Sequence, residues 1–319
     1  MRAVVTGGAG HIGSMVVGRL LAAGHEVAVL DLLQHGQRAV AADLEQQGAR
    51  MVEGDVRDAA ARATALEGAD ALVHLAAIVG DPACAQDPEL SRAVNVDASR
   101  ALFAEAAGVP RVVFASTCSN YGRMADPTVA LDESAPLAPV SLYASQKVEI
   151  ERELLEGGTA TCLRFATVYG VSPRMRFDLT VNEFTSDLWA GRVLEVYGGQ
   201  FWRPYVHVAD TARAIELVLA LPDEQVHGRV FNVGDSGENY RKQDLVEMIT
   251  GHLGRGDVRF VERNEDPRDY RVSFERVRGE LGFTVSQRVP DGIAEVTDAL
   301  EAGRFADPFG AVHSNLAPS

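Results

Sequence analysis

Thr6-Gly7-Gly8-Ala9-Gly10-His11-Ile12-Gly13 stands between a short β-branched run at 2–6 (RAVVT) and an apolar-periodic stretch at 12–23 that stops at Gly24. Glycines at 7, 10 and 13 let the backbone turn tightly and approach a pyrophosphate, while the free N–H groups and dipole of the following helix face the anion. Working outward, a second strand at 26–30 (EVAVL) ends at Asp31, 24 residues after Gly7. A carboxylate at that distance is placed to receive the hydroxyls of an adenosine ribose. It would repel a 2′-phosphate, which favours NAD over NADP, although Arg38 is near enough to soften that preference. Asp55 follows a third short strand at 50–52. It can meet an adenine amine or serve as a helix N-cap.

The alternation continues. A helix at 58–67 precedes the apolar run 70–75 (DALVHL), and a long helical stretch at 88–107 precedes a strand at 111–115. A helix near 141–156 leads to a strand at 160–165, and 229–233 (RVFNV) reads as a further strand that can return to the same sheet. Strands alternating with helices of this length predict an α/β doubly wound parallel sheet, a Rossmann fold. After Gly170 the segments shorten, with helices predicted at 178–190, 208–221, 240–252 and 287–302. The expected organisation is an NAD-binding domain over 1–170, with 206–233 returning to it, and a smaller C-terminal α/β substrate lobe over 171–319. The tail at 303–319 reads as loosely ordered.

Composition narrows the function. The chain has 319 residues, 45 acidic and 30 basic, for a formal charge of −15. That balance argues against a general nucleic-acid footprint. No apolar run approaches the roughly 18 residues of a membrane span, and the start lacks the apolar core of a signal peptide, so a cytoplasmic location without membrane association is the default expectation. Cys84, Cys118 and Cys162 form neither a disulfide framework nor a zinc site, and the scattered histidines give no metal-ligand spacing, so no metal is expected.

Only two of the basic residues are lysines, Lys147 and Lys242. Lys147 lies four residues after Tyr143, which puts both on one helix face. With seven tyrosines in the chain, chance gives ~0.04 such pairs, so the spacing carries information. An ammonium beside a phenol lowers its pKa and makes a general base suited to taking a hydroxyl proton as hydride leaves the carbon. The strand at 111–115 runs into Ser116-Thr117-Cys118-Ser119-Asn120-Tyr121-Gly122. Strand C-termini in a parallel sheet are where ligands bind, and on chemistry alone either Ser116 or Thr117 would hydrogen-bond the same substrate oxygen.

Taken together, these stretches make the chain resemble the extended short-chain dehydrogenase/reductase family, in particular its NAD-dependent nucleotide-sugar epimerase/dehydratase group. The resemblance spans about residues 1–285. It rests on TGGAGHIG (6–13), Asp31, HLAA (74–77), the Ser116-Thr117 to Tyr121-Gly122 segment, Tyr143/Lys147, LRFATVYG (163–170), RPYVHVAD (203–210) and the segment around Arg268. It implies that Gly7, Gly10, His11 and Ile12 hold the NAD pyrophosphate and Asp31 the ribose. Asp55 and Val56 would meet the adenine, and Leu75, Ala76 and Ala77 would line the cofactor channel. Thr117 would be the catalytic Ser/Thr and Tyr143 the acid/base, with Lys147 also binding the nicotinamide ribose. Asn182, Arg203 and Arg268 resemble contacts to the phosphates and nucleoside of a nucleotide-diphosphate sugar, and Cys118 is a candidate site acid. Tyr205, His207 and Asp210 read as scaffold.

Departures from the family pattern shape the expected reaction. The family's 4,6-dehydratases carry an Asp-Glu pair after the catalytic Thr, where this chain has Cys118-Ser119, so elimination loses its acid and base. Thr167 stands where many members have Asn, and Pro204 replaces an Asp. The expected activity is an NAD-dependent nucleotide-sugar epimerase acting by transient oxidation of a sugar hydroxyl, with C4 the candidate carbon. The alternative is an NAD(P)H-dependent 4-keto-sugar-nucleotide reductase; a dehydratase and a non-catalytic NAD or nucleotide sensor rank below both. The resemblance also implies a homodimer built through 88–107 and 141–156.

Overall fold

The computed structural model describes residues 1–315 apart from 125, 127, 159 and 262–267. In chain order the N-terminal part comprises β1 (Arg2–Thr6), α1 (His11–Ala22), β2 (Glu26–Asp31), α2 (Arg38–Gln46), β3 (Arg50–Glu53), α3 (Ala59–Leu66) and β4 (Ala71–His74). Next come α4 (Asp81–Gln86), α5 (Pro88–Arg92), a π turn (Ala93–Ala98), α6 (Ser99–Glu105), β5 (Arg111–Thr117), α7 (Leu142–Gly157), β6 (Ala160–Phe165) and β7 (Thr167–Tyr169). The remainder is α8 (Thr180–Trp189), β8 (Val193–Tyr197), β9 (Trp202–His207), α9 (Val208–Ala220), α10 (Asp223–Val226), β10 (Arg229–Val233), β11 (Asn239–Arg241), α11 (Lys242–Leu253), β12 (Asp257–Val261), α12 (Glu275–Leu281) and α13 (Val289–Glu301).

Seven strands form one parallel sheet in the order β10-β6-β5-β4-β1-β2-β3. Its central strands are unbroken apolar runs because helices cover both faces: Ala3, Val4 and Val5 of β1, and Ala71, Leu72 and Val73 of β4, are all fully buried. The chain leaves β1 toward β2 and β3 on one side, then crosses back to β4, β5 and β6 on the other. That reversal opens a crevice at the C-terminal strand ends, where Gly7, Asp31, His74 and Thr117 all lie.

The helical stretch expected at 88–107 is continuous from Pro88 to Glu105, with a π segment at Ala93–Ala98 inside it. In its π turn the buried Asn95 accepts from the Ile78 amide (2.8 Å) and donates to the Ile78 carbonyl (3.0 Å), tying the helix to the loop after β4. Past Gly170 a second core gathers Phe184, Leu188, Tyr205, Leu245, Ile249 and Ile293 beneath the three-stranded sheet β11-β9-β7. Asp210 accepts from the amides of Ser286 and Gln287 and so ties α9 to the segment before α13. Of the tail expected to be loose at 303–319, residues 303–315 are held by local contacts although most of them are exposed, Phe305 packing against a core cluster with Phe177 and Leu300, and 316–319 lie outside the described residues.

Behind β5, Arg164 and Glu151 form an ion pair at 2.6 Å with side chains 4% and 0% exposed. Ser116 and Asn120 also donate to Glu151, and Arg164 donates to the Tyr121 hydroxyl. Breaking such a pair from one side strands a buried charge. Arg164→Met should therefore lower unfolding free energy by ~3–5 kcal/mol, read as a lower urea midpoint at unchanged slope. Arg164→Met/Glu151→Leu should recover part of the loss.

Candidate active site

A cleft of about 380 Å³ runs along the C-terminal edge of the sheet. Its floor is the glycine loop. Gly7 has φ +71°, and a Cβ there would sit 2.8 Å from the Ala76 nitrogen; a Cβ on Gly13 would sit 2.1 Å from the Gly7 carbonyl oxygen. Both positions therefore require glycine. Gly10 opens α1 with no side-chain cap, so the first amides of the helix are left for an anion. His11, in the first turn, has Nδ1 within 2.8 Å of Ser172 Oγ and 3.1 Å of the Arg174 carbonyl. Burial, then Arg176, hold its pKa down at about 3, so the ring is neutral at pH 7.

Asp31 accepts from the Ala9 amide (3.0 Å) and the Leu33 amide (2.9 Å), so it braces the glycine loop from the end of β2. Burial raises its pKa against those bonds. Arg38 pairs with Glu53 in the open (2.6 Å). Asp55 lines the cleft and pairs with Arg57 (2.6 Å), whereas the N-cap of α3 is Asp58. Val56, Leu75, Ala76 and Ala77 complete the wall, and the Leu75 and Ala76 amides both donate to Thr6 Oγ1 at 3.2 Å. Arg174 and Arg176 also face the cleft. His11 Nε2 and Arg174 Nε are buried without a partner among the described residues. An unsatisfied Arg174 donor beside an uncapped helix N-terminus fits a dinucleotide diphosphate.

The catalytic set gathers at the other end. Adjacent residues of a strand point to opposite faces, and this separates Ser116 from Thr117. The Ser116 hydroxyl is spent on Glu151. Thr117 lines the cleft, accepting from the Ser119 amide at 3.1 Å. Ser141 caps α7, so Tyr143 sits in its first turn and Lys147 one turn later. Lys147 Nζ donates to the Ala115 carbonyl at 2.9 Å and lies 5.9 Å from the Tyr143 ring centroid. Burial pulls its pKa from 10.5 to about 8. The Tyr143 hydroxyl departs from the sequence expectation: burial pushes its pKa up, Cys84 and Asp81 add to that, and Arg176 opposes it. A phenolate there needs further positive charge in the cleft.

Three of the residues expected at the substrate lie away from the lining of this cleft. Cys118 is turned into the core, its thiol donating to the Arg164 carbonyl (3.2 Å) and raised far above the ordinary range by burial, so it is no site acid. Asn182 is fully buried and spends its amide on the Gly170 backbone and the Arg176 carbonyl, holding the 170–176 turn. Arg203 donates to the Trp202 carbonyl and lies 5.3 Å from the Tyr270 ring centroid, and it is Tyr270 that meets the cleft. Arg268 does line the cleft and pairs with Asp81 at 3.0 Å. Residues 262–267, just before it, lie outside the described residues. Sequence reasoning passed over Arg174, Arg176, His35 and Asn315 as cleft residues. The Arg-Met-Arg run at 174–176 was the available signal.

The depressed pKa of Lys147 has a stability consequence. Between pH 8 and 10.5 the unfolded chain holds a proton that the folded chain has lost, so stability rises with pH across that window. At pH 7 the buried ammonium costs the cofactor-free protein ~3 kcal/mol. Lys147→Met should raise the unfolding free energy of cofactor-free protein by up to that amount at pH 7. The gain should vanish toward pH 10.5, as measured by urea titrations across the range.

The profile of the NAD dependent epimerase/dehydratase family matches residues 3–234. The UDP-glucose 4-epimerase of Corynebacterium glutamicum is 32% identical over 314 residues, covering 89% of this chain and 91% of that protein. Among solved structures, the Streptomyces venezuelae dTDP-glucose 4,6-dehydratase DesIV, crystallised with NAD, superposes with a TM-score of 0.85 at 32% identity, covering 95% and 98% of the two chains. The Thermus thermophilus UDP-glucose 4-epimerase, in complex with NAD, gives 0.81 at 28% identity, covering 94% and 99%. With the glycine loop, Asp31 and the Tyr143/Lys147 pair on one cleft, these matches place the chain in the NAD-dependent epimerase/dehydratase family, as an enzyme whose cofactor is NAD.

Proposed function

We propose that the protein is a nucleotide-sugar epimerase that transiently oxidises a sugar hydroxyl, with C4 the candidate carbon. The observation that carries this reading is the partition at the end of β5. Thr117, Tyr143 and Lys147 line the cleft, while the two positions that follow Thr117 hold no carboxylate: Cys118 faces the core and Ser119 Oγ lies 3.2 Å from the Tyr270 hydroxyl. Elimination lacks its acid and base; oxidation and re-reduction at one carbon need neither.

NAD supplies the two-electron acceptor and donor. Tyr143 takes the proton of the sugar hydroxyl and returns it after the keto-sugar has presented its other face. Thr117 hydrogen-bonds the same oxygen and fixes its distance from the phenol. Lys147 stabilises the phenolate from a site held by the Ala115 carbonyl. Arg268, tied to Asp81 at the cleft mouth, offers a guanidinium to the substrate diphosphate. The helices α5, α6 and α7 carry exposed Arg92–Glu149 and Arg100–Glu153 pairs and are the faces through which a homodimer would form. Light scattering should then give twice the chain mass.

Tyr143→Phe should lower turnover about 10³-fold, within the range for loss of a general acid/base, while bound NAD per chain stays unchanged. One portion of purified enzyme is denatured and its supernatant assayed for NAD(H), and a second, native portion is incubated with UDP-, TDP- and GDP-sugars. Released NAD(H) with interconversion supports the epimerase. Stoichiometric loss of NADPH absorbance with a 4-keto-6-deoxy sugar nucleotide replaces it with the reductase. Turnover untouched by Tyr143→Phe removes the catalytic reading.

A further inference from the structure

The segment after α13 does not trail into solvent. Phe305 and His313 close edge-on around Phe177, with ring centroids 5.1 to 5.5 Å apart. The Phe177 amide donates to the His313 carbonyl (2.9 Å), Arg174 Nη2 donates to the Ser314 carbonyl (3.3 Å), and the Asn315 amide donates to Asp178 Oδ2 (2.9 Å). On its other side Val312 covers Gly36, where an added Cβ would meet Val312 Cγ1 at 3.0 Å. The segment therefore bridges the loop that follows Asp31 and the loop that carries Arg174 and Arg176. Those two loops border the ribose–diphosphate end of the cleft.

Asn315 itself lines that end, and its Oδ1 is buried with no partner among the described residues. Three more orphaned buried atoms sit in the same wall: His11 Nε2, His35 Nδ1 and Arg174 Nε. Native proteins leave few such groups, and each one is costly unless a ligand or water completes it. Four together mark the seat of a polar ligand. His11 and Arg174 stand at the N-terminus of α1, where the diphosphate belongs. Asn315, anchored through its backbone to Asp178, lines the same wall with a side-chain carbonyl that has no partner among the described residues.

We propose that residues 304–315 are a strap of the cofactor site and that Asn315 is a binding residue for the adenosine half of NAD, its side-chain carbonyl accepting from a hydroxyl or amine there. The strap adds a contact from the far end of the chain to a site otherwise built from the first 180 residues, and it slows cofactor loss between the two halves of a redox cycle. The inference rests on NAD as the cofactor and is independent of which sugar is turned over.

The test compares wild type, Asn315→Ala and a chain lacking 311–319, each stripped of cofactor. NAD and ADP-ribose are titrated calorimetrically, nicotinamide mononucleotide binding is read by saturation-transfer NMR, and NAD carried through purification is measured by chromatography. Asn315→Ala should weaken NAD and ADP-ribose by the same factor, five- to tenfold, the scale of one lost hydrogen bond, with nicotinamide mononucleotide unaffected. The truncation should weaken both ten- to hundredfold and yield protein with little NAD. Wild-type affinity of Asn315→Ala for both ligands overturns the proposal, as does equal weakening of nicotinamide mononucleotide, which would mean general loosening. Should the truncated chain not fold, judged by circular dichroism, Asn315→Ala decides alone.

Discussion

The site depends on how closely two strand ends approach at the switch point of the sheet. Thr6 at the end of β1 accepts the amides of Leu75 and Ala76 just past β4, and Gly7 passes the Ala76 nitrogen at a distance no Cβ allows. His74 locks the same junction from beneath, with Nδ1 2.7 Å from Thr6 Oγ1 and Nε2 2.9 Å from Ser99 Oγ. Burial holds its pKa at about 3, so the lock carries no charge at neutral pH. Everything around the cofactor follows from this closure: α1 starts where its amides face the cleft, Asp31 braces the loop from β2, and β5 delivers Thr117 one strand further on. A side chain at position 7 would part the strands before it touched any ligand.

Stability and function are set against each other at Lys147. An ammonium almost wholly buried at the cleft wall, beside Phe114 and the Ala115 carbonyl, is a poor choice for a stable fold. The same burial places it within reach of the phenol it must influence. Behind it Glu151 takes Arg164, Ser116 and Asn120 at once. The strained charge thus rests against a rigid polar network one strand-face away, which keeps Thr117 on its side of β5.

The doubly wound sheet was legible because its strands are short apolar runs at regular spacing, and the edge strand β10 declared itself by the same pattern. The NAD cradle was legible because glycine, Asp31 and the Tyr143/Lys147 spacing are local facts of the chain. What escaped were contacts made across long separations. The π turn at Ala93–Ala98 keeps helical periodicity in sequence, and only the clamp of Asn95 on Ile78 reveals it. Asn182 and Cys118 carry the chemistry of site residues, yet the backbone around Gly170 and Arg164 consumes them. The order of 303–315 comes from Phe305 and His313 finding Phe177, and no property of those residues alone predicts that partner.

A chain with formal charge −15 that binds NAD needs its cations concentrated. The cleft does this with Arg57, Lys147, Arg174, Arg176 and Arg268, while arginines such as Arg38, Arg92 and Arg100 are paired on the surface. Three of the cleft cations are themselves held by carboxylates, Arg57 by Asp55, Arg176 by Asp178 and Arg268 by Asp81. Those pairs fix the guanidinium planes before a ligand arrives and lower the cost of ordering them. They also mean that a diphosphate competes with a resident carboxylate, so only a ligand offering two charge-assisted bonds at the right spacing gains by the exchange.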